Sequence, residues 1–318
     1  MEKKYPLVCI VILNWNGGQV TYDCLKSLRK TKYPNYKTTV IDNGSTDGSD
    51  DFIEKNFPEV DLVRSKKNLG YTGGMNFGWD YSLEKYNPDY ICNMNNDIIT
   101  IQKDWLKLMV NELEKKEKSG ICGNKLLFPD GRLQLLYSDR NPSEYFEKDT
   151  GQYDFVKEVT AVGGANMLIK RSLIKKIGGN DENYFYGPDD IDYNFRAKKA
   201  GFLRIYCGTS KSEHLGSFSY NSAKKDFIYK HQSYGYLIFF FRHNSKLSAL
   251  KMIFNQLVRI FVTRKDPFKK RNFKNLYFHK SFIKRFYYFL TSLFGAMRNY
   301  KYIKIGDYPT LKNERTTI

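Results

Sequence analysis

The sequence predicts an α/β protein built on a doubly wound, mainly parallel sheet, with a helical, basic C-terminal extension. Three observations carry this. Apolar strands alternate with helical spacings through roughly the first 220 residues. The loops after the strands are made of short acids, amides and glycines. From about Phe227 onward glycine becomes rare, while Lys and Arg accumulate among apolar residues.

The elements follow in order. Leu7 to Leu13 is a continuous apolar run, the pattern of a strand buried on both faces. Asn14-Trp15-Asn16-Gly17-Gly18 is its turn, and Val20 to Lys30 has helical spacing through Cys24, Leu25 and Leu28. Thr38 to Ile41 is the second strand, ending in Asp42-Asn43-Gly44-Ser45-Thr46-Asp47-Gly48, before a short helix through Phe52 and Ile53. Val60 to Arg64 is the third strand, followed by the loop Asn68-Leu69-Gly70-Tyr71-Thr72-Gly73-Gly74 and a helix from Met75 to Lys85. Tyr90 to Met94 is the fourth, delivering Asn95-Asn96-Asp97 to a loop, with a helix from Asp104. Strand, loop and helix in repetition mean parallel crossovers, and ligands then bind at the strands' C-terminal ends.

Between Gly123 and Thr160 the pattern weakens, as in a surface excursion with one or two short strands. Asn166 to Ile169 is a strand and Arg171 to Ile177 a helix. Gly187-Pro188-Asp189-Asp190-Ile191-Asp192 opens a helix ended by Gly201. Arg204 to Cys207 is a strand, and His214 follows. Ser245 to Val262 has a helical apolar stripe, and the last dozen residues read as a loose tail. The expected division is a catalytic domain over 1–226 and a basic helical segment over 227–318.

The chain has 318 residues and 41% hydrophobic content, enough for a packed core. Five dispersed cysteines without a C-x-x-C pair argue against both a disulfide framework and a zinc site. The start lacks a signal-peptide apolar core, and no apolar run is long enough to span a bilayer. These features point to a cytoplasmic protein. The net charge of +18 is concentrated in Phe227 to Lys304, which holds 17 Lys and Arg against one acid, Asp266. Such a patch suits an anionic membrane surface or nucleic acid.

The strand-end loops share a chemistry. Asp97, carried by an apolar strand between amides and a helix, is placed to hold a divalent cation under a phosphate. Asp42 can accept from a base imide or a ribose hydroxyl. Gly70, Gly73 and Gly74 allow close approach of backbone to phosphate. No G-x-G-x-x-G follows the first strand, and no G-x-x-x-x-G-K-[ST] exists, so dinucleotide and P-loop enzymes are unsupported.

Six motifs, in order, carry a resemblance. Val8 to Gly17, Ile41 to Ser49, Asn68 to Asn76, Asn95-Asn96-Asp97, Val162 to Ile169 and Asp189 to Asp192 together resemble the family-2 glycosyltransferases, in their rhamnosyltransferase-like branch. The match covers about residues 5 to 220. It implies a GT-A fold and inverting transfer from a nucleotide-sugar donor with Mg2+ or Mn2+. Asp190 then maps onto the catalytic base, with Asp189 in place of the family's Glu. Leu13, Asn14, Trp15, Asp42 and Asn43 map onto the nucleoside pocket, and Asn68, Gly73, Gly74, Asn95 and Asn96 onto the donor site. Asp97 and His214 map onto the metal and pyrophosphate. Asn95 departs from the D-x-D pattern, which removes one charge from the metal site.

The implied donor is dTDP-L-rhamnose, with a UDP-hexose or UDP-N-acetylhexosamine as the alternative. The implied acceptor is a glycan or a polyprenyl-linked sugar at the inner face of the cell membrane, where the basic segment binds peripherally; a homodimer stays open. A nucleic-acid-binding protein is the rival of another class. It is disfavoured because no helix-turn-helix, RNP-like or zinc signature is present. Structural readings stand beside the functional ones. Asp190 can cap its helix and Asp192 serve the same helix's first turn. Asp47 can organise its own turn, Trp15 can be pocket wall or core, and Trp79 and Trp105 belong to the core.

Overall fold

A computed structural model describes residues 5–134, 147–216, 225–243, 251, 253–254 and 282–299. These fall into two compact units. One comprises 5–134, 147–181 and 189–216; the other comprises 182–188 with the described residues from 225 onward.

The first unit is a single sheet covered by helices. Strand β1 (Val8–Asn14) is central, because its run Val-Cys-Ile-Val-Ile has no polar side chain to present to water. Parallel to it lie β2 (Tyr36–Asp42) on one side and β4 (Tyr90–Asn95) on the other, with β3 (Asp61–Arg64) outside β2. Alternate β1 residues face opposite cores. Val8, Ile10 and Ile12 pack with Cys24, Leu25, Trp105 and Met109, whereas Cys9 and Val11 pack with Met75, Trp79 and Tyr193. Burial on both faces is why the strand reads as uninterrupted apolar sequence.

Helices α1 (Gly18–Leu28), α2 (Ser49–Asn56) and α4 (Trp105–Glu114) contribute to the first core. Helix α3 (Gly70–Tyr86) contributes to the second, with α5 (Arg171–Ile177) and α6 (Asp189–Lys199). Trp79 and Trp105 are both fully buried, and all five cysteines are free and buried.

Beyond β4 the sheet becomes mixed. Strand β8 (Asn166–Lys170) runs antiparallel to β4 and to β6 (Ser119–Leu127), and β6 runs parallel to β9 (Leu203–His214). Two short strands, β5 (Ile98–Ile99) and β7 (Val156–Glu158), pair antiparallel with β9.

Three elements differ from the sequence expectation. Helix α3 starts at Gly70, inside the predicted loop. A Cβ on Gly74 would lie 2.4 Å from Leu13 Cδ1, and one on Gly78 would lie 2.4 Å from Val11 Cγ1. The glycines, one turn apart, let α3 sit close on the sheet. Strand β6 was not expected, because Gly120, Gly123, Asn124 and Lys125 break its apolar pattern although the whole strand is buried. Strand β9 continues seven residues past Cys207, through polar side chains that β6 and β5 cover.

The second unit packs α7 (Lys225–His243) with α8 (Phe282–Asn299). Tyr184, Leu237, Ile238, Phe289 and Ala296 form its core. Tyr287 and Phe294, two turns apart on α8, are 60% and 67% exposed. Among the described residues no helix is long and apolar enough to cross a membrane. Most of the predicted Ser245–Val262 stripe and of the aromatic-basic tract beyond it lies outside the described residues.

Candidate active site

The loops at the C-terminal ends of β1, β2 and β4 are joined by a buried polar network. Asn14 Nδ2 donates to Asp42 Oδ1 at 3.0 Å and to Ser49 Oγ at 2.9 Å, and its Oδ1 accepts from the Thr21 hydroxyl at 2.7 Å. Thr21 Oγ1 in turn accepts from Asn96 Nδ2 at 3.0 Å. Asp42 Oδ2 accepts the backbone N–H of Ser45. Asn14, Asp42 and Asn96 therefore lock the three strand ends together, since each buried polar atom left unpaired would carry a desolvation cost. Gly17 belongs to the same arrangement, because a Cβ there would lie 2.8 Å from Asn96 Nδ2.

A second knot holds the next loop. Asn43 Nδ2 donates to Asn68 Oδ1 and to the carbonyl of Gly70, and its Oδ1 accepts from Leu69 N–H. Asn68 Oδ1 also accepts from Gly70 N–H. Gly73 and Gly74 lie in the first turn of α3, both buried. Trp15, just past β1, is 37% exposed, whereas Leu13 packs partly buried against α3. Asp47 organises its turn by accepting from Ser49 N–H.

Asp97 and His214 are brought together by strand pairing. Ile98 in β5 is in register with His214 in β9, and Leu215 N–H donates to the Asp97 carbonyl at 3.0 Å. His214 Nε2 consequently lies 3.1 Å from Asp97 Oδ1. That approach lacks the alignment of a hydrogen bond, and Nε2 is buried without a hydrogen-bond partner among the described residues. Asp97 is only 4% exposed. A carboxylate oxygen beside an unpartnered imidazole nitrogen fits a divalent cation. Among the described residues no group of three or more His, Cys, Asp or Glu side chains could hold a metal. The protein thus offers a cation two side-chain donors. Asn95 Oδ1 is engaged by the Tyr71 hydroxyl at 3.2 Å.

Asp190 stands in the first turn of α6. Its Oδ2 accepts the N–H of Gly164 at 3.1 Å and its Oδ1 that of Ile191 at 2.8 Å. Burial pushes its carboxyl above the ordinary carboxylate range, against the opposing pull of those backbone N–H groups. Burial, rather than the charge of the adjacent Asp189, is the leading cause. Asp192 is a different kind of acid. It is fully buried and accepts from Arg196 Nε at 2.6 Å, while the same guanidinium donates to the carbonyls of Ile177 and Gly179. The segment before β8 links the two groups of acids: Asn95 N–H donates to the Ala165 carbonyl, and Gly164 N–H donates to Asp190.

One residue of this neighbourhood left no trace in the sequence. Gln134 Nε2 donates to the His214 carbonyl at 2.6 Å, and its Oε1 lies 2.7 Å from His214 Nδ1. Gln134 falls where the pattern weakens, and its partner is 80 residues away, so no local signal could have found it. A cavity of about 630 Å³ opens at the opposite end of the strands, lined by Leu7, Asp89, Glu114 and Arg171 among others. It contains none of the expected site residues, and Asp89 and Arg171 there are 3.7 Å apart and offset each other's charge.

Known proteins match this picture. Among curated proteins, the N-acetylglucosaminyl-diphospho-decaprenol L-rhamnosyltransferase of Mycobacterium tuberculosis is 23% identical over 74% of this chain and 84% of its own length. An uncharacterised protein of Sinorhizobium fredii is 26% identical over 67% of this chain, which spans only 25% of that relative's length. Among solved structures, the mannosyltransferase PcManGT of Pyrobaculum calidifontis, in complex with GDP-Man and Mn2+, aligns over 94% of this chain and 88% of its own. Its TM-score is 0.55 at 14% identity. GalNAc-T7 with UDP, GalNAc and Mn2+ aligns over 97% of this chain and 59% of its own, with a TM-score of 0.60 at 13% identity. These structures share the GT-A fold. The profile of glycosyl transferase family 2 matches residues 9–178, more than half of the chain. The chain belongs to glycosyl transferase family 2.

Proposed function

We propose that this glycosyltransferase is a metal-dependent, inverting enzyme. It moves a sugar from a nucleotide donor to a hydroxyl of a surface-polysaccharide or lipid-linked acceptor. The observation that carries the reading is the buried approach of His214 Nε2 to Asp97 Oδ1 at 3.1 Å, at the sheet's C-terminal edge. Mg2+ or Mn2+ held by this pair would offset the charge that develops on the leaving nucleoside diphosphate.

Asp190 is the base. As the acceptor oxygen attacks the anomeric carbon, an Asp190 carboxylate oxygen takes the hydroxyl proton, and the anomeric carbon–phosphate oxygen bond breaks with inversion. Burial favours this role, because a carboxyl raised above its ordinary range holds a proton more strongly. Gly164 N–H fixes the group's direction. Asp189 adds negative charge at the same helix start. Trp15 forms the exposed wall of the nucleoside pocket, with Leu13, Asp42 and Asn43 behind it. Asn68, Gly73, Gly74, Asn95 and Asn96 shape the donor side.

The donor is dTDP-L-rhamnose: the name of the mycobacterial relative supports the L-rhamnosyl group, and the motif resemblance supports the dTDP carrier. That name also supports a lipid-linked acceptor. The basic segment over 227–318 would bring the site to such an acceptor, with Tyr287 and Phe294 as exposed apolar anchors beside cationic charge. The experiment is a thermal-shift panel of dTDP-, UDP- and GDP-sugars with and without Mn2+, followed by transfer assays on the stabilising donor. A donor that binds the folded state raises the melting temperature by mass action. Equal response to every nucleotide sugar, or none, would remove the reading.

A further inference from the structure

We propose that Gln134 is a positioning residue: it holds His214 as the tautomer protonated on Nδ1 and thereby reserves Nε2 as a ligand for a divalent cation. The inference deepens the proposed function and rests on Asp97 and His214 being the cation-facing pair.

The His214 backbone carbonyl can only accept, so the Gln134 amide must turn its NH2 toward it, as the 2.6 Å contact requires. The amide oxygen then faces His214 Nδ1 at 2.7 Å. An oxygen without a proton can only accept, so Nδ1 must donate. A neutral imidazole carries one proton, and Nε2 is left with its lone pair. That nitrogen is buried, 3.1 Å from Asp97 Oδ1, and has no hydrogen-bond partner among the described residues. A cation that joins these two electron-rich atoms would remove their mutual repulsion.

The backbone keeps all three residues in place. Gln134 N–H donates to Leu126 O, returning the chain onto β6, and Leu127 in β6 pairs with Glu213 beside His214. Leu215 N–H fastens the Asp97 carbonyl. Gln134 thus grips its histidine from across the strand pair, by both ring and main chain. Partners that accept the N–H of a ligating histidine's far nitrogen set its tautomer and orientation, and their loss weakens metal affinity by about 10–100-fold.

The test uses the full chain and two readouts. The first is the tautomer of His214 in metal-free protein, from 15N–1H spectra, which tell the Nδ1–H, Nε2–H and doubly protonated forms apart. His214→Ala identifies the signal among the four histidines. The second is Mn2+ titrated alone and followed by its electron spin resonance. The wild type should show the Nδ1–H form. Gln134→Leu should give a tautomer mixture and bind Mn2+ about tenfold or more weakly. Gln134→Glu keeps an acceptor at Nδ1 but loses the donor to the His214 carbonyl, so it should keep the Nδ1–H form and bind Mn2+ more tightly than Gln134→Leu. A wild-type Nε2–H form overturns the proposal, and this measurement stands even if Gln134→Leu fails to fold. Mn2+ affinity unchanged in Gln134→Leu but lost in His214→Ala refutes the positioning role alone. Affinity unchanged in His214→Ala refutes the cation pair and the proposal together.

Discussion

Gly164 and Asp190 are fitted to each other: the glycine N–H donates to Asp190 Oδ2 at 3.1 Å, and a Cβ on the glycine would lie 2.9 Å from Asp190 Cβ. The contact joins the segment before β8 to the first turn of α6, and it leaves no room for a methyl group. Gly164→Ala is therefore expected to displace the carboxylate. Displacement of a reacting group by about 1 Å costs up to about 10²-fold in turnover, and overpacking of this kind costs about 1–3 kcal/mol of stability. Chemical denaturation and single-turnover transfer measure the two losses separately. A variant that folds and turns over like the wild type would show that Asp190 needs no such fit.

The Asp190 carboxyl gives a pH signature. Burial raises it above the ordinary carboxylate range, so the acid limb of kcat/KM should fall above about pH 4. Below that point the group is protonated and cannot take the acceptor's proton. Stability carries the opposite sign. The folded state holds this proton more tightly than the unfolded state, so the wild type loses stability as pH rises through the interval between the two pKa values. Asp190→Asn has no such loss, and its stability relative to the wild type should grow over that interval. Its transfer rate should fall by about 10²-fold or more with little change in donor binding. An unchanged rate in this variant would exclude Asp190 as the base.

The strand-end architecture was legible because its determinants are local. The run Val8 to Leu13 declares a strand buried on both faces, and Asn43, Gly44 and Ser45 declare a turn. Where long-range packing decides, sequence reading gave out. Gly70, Gly73 and Gly74 read as a phosphate loop, yet Gly74 and Gly78 set how closely α3 rides on Leu13 and Val11. Buried Lys125 hid β6, since its ammonium is matched by Asp149 and Asp154 from a distant turn. Of the site, Asp97 and Asp190 were legible as acids at element ends. The bond between Gln134 and His214 was not, because nothing in either residue's neighbourhood points to the other.

Removal of the cation should act on Asp97 and His214 together. EDTA is expected to abolish transfer, with recovery on adding Mn2+ or Mg2+. Asp97→Ala should weaken metal-dependent donor binding while metal-independent nucleotide binding changes less. The removal leaves His214 Nε2 without its charged neighbour, so the two side chains should show strong non-additivity in a double-mutant cycle. Full activity after thorough chelation would mean that the pair serves another purpose.

The side chain of Lys125 is fully buried in β6. Its ammonium donates to Asp149 at 2.7 Å and to Asp154. Lys211, its neighbour across the β6–β9 pair, adds a bond to Asp154 at 2.9 Å. Burial alone would raise the two carboxyls, but the bonds and charge of the lysines bring both below their ordinary range. Their stabilisation is therefore complete above the unfolded carboxylate value of about 4 and is lost as pH falls through the lowered folded values. Lys125→Met keeps the length and removes the charge. Breaking a buried pair costs about 3–5 kcal/mol, and the lower end applies because Asp154 is about a third exposed. The variant should melt well below the wild type at pH 7, and the gap should narrow as the pH falls below about 4 toward the lowered folded values. Equal melting temperatures at pH 7 would show that the cluster contributes nothing net. A gap that stays constant down to pH 3 would assign the loss to packing rather than to charge.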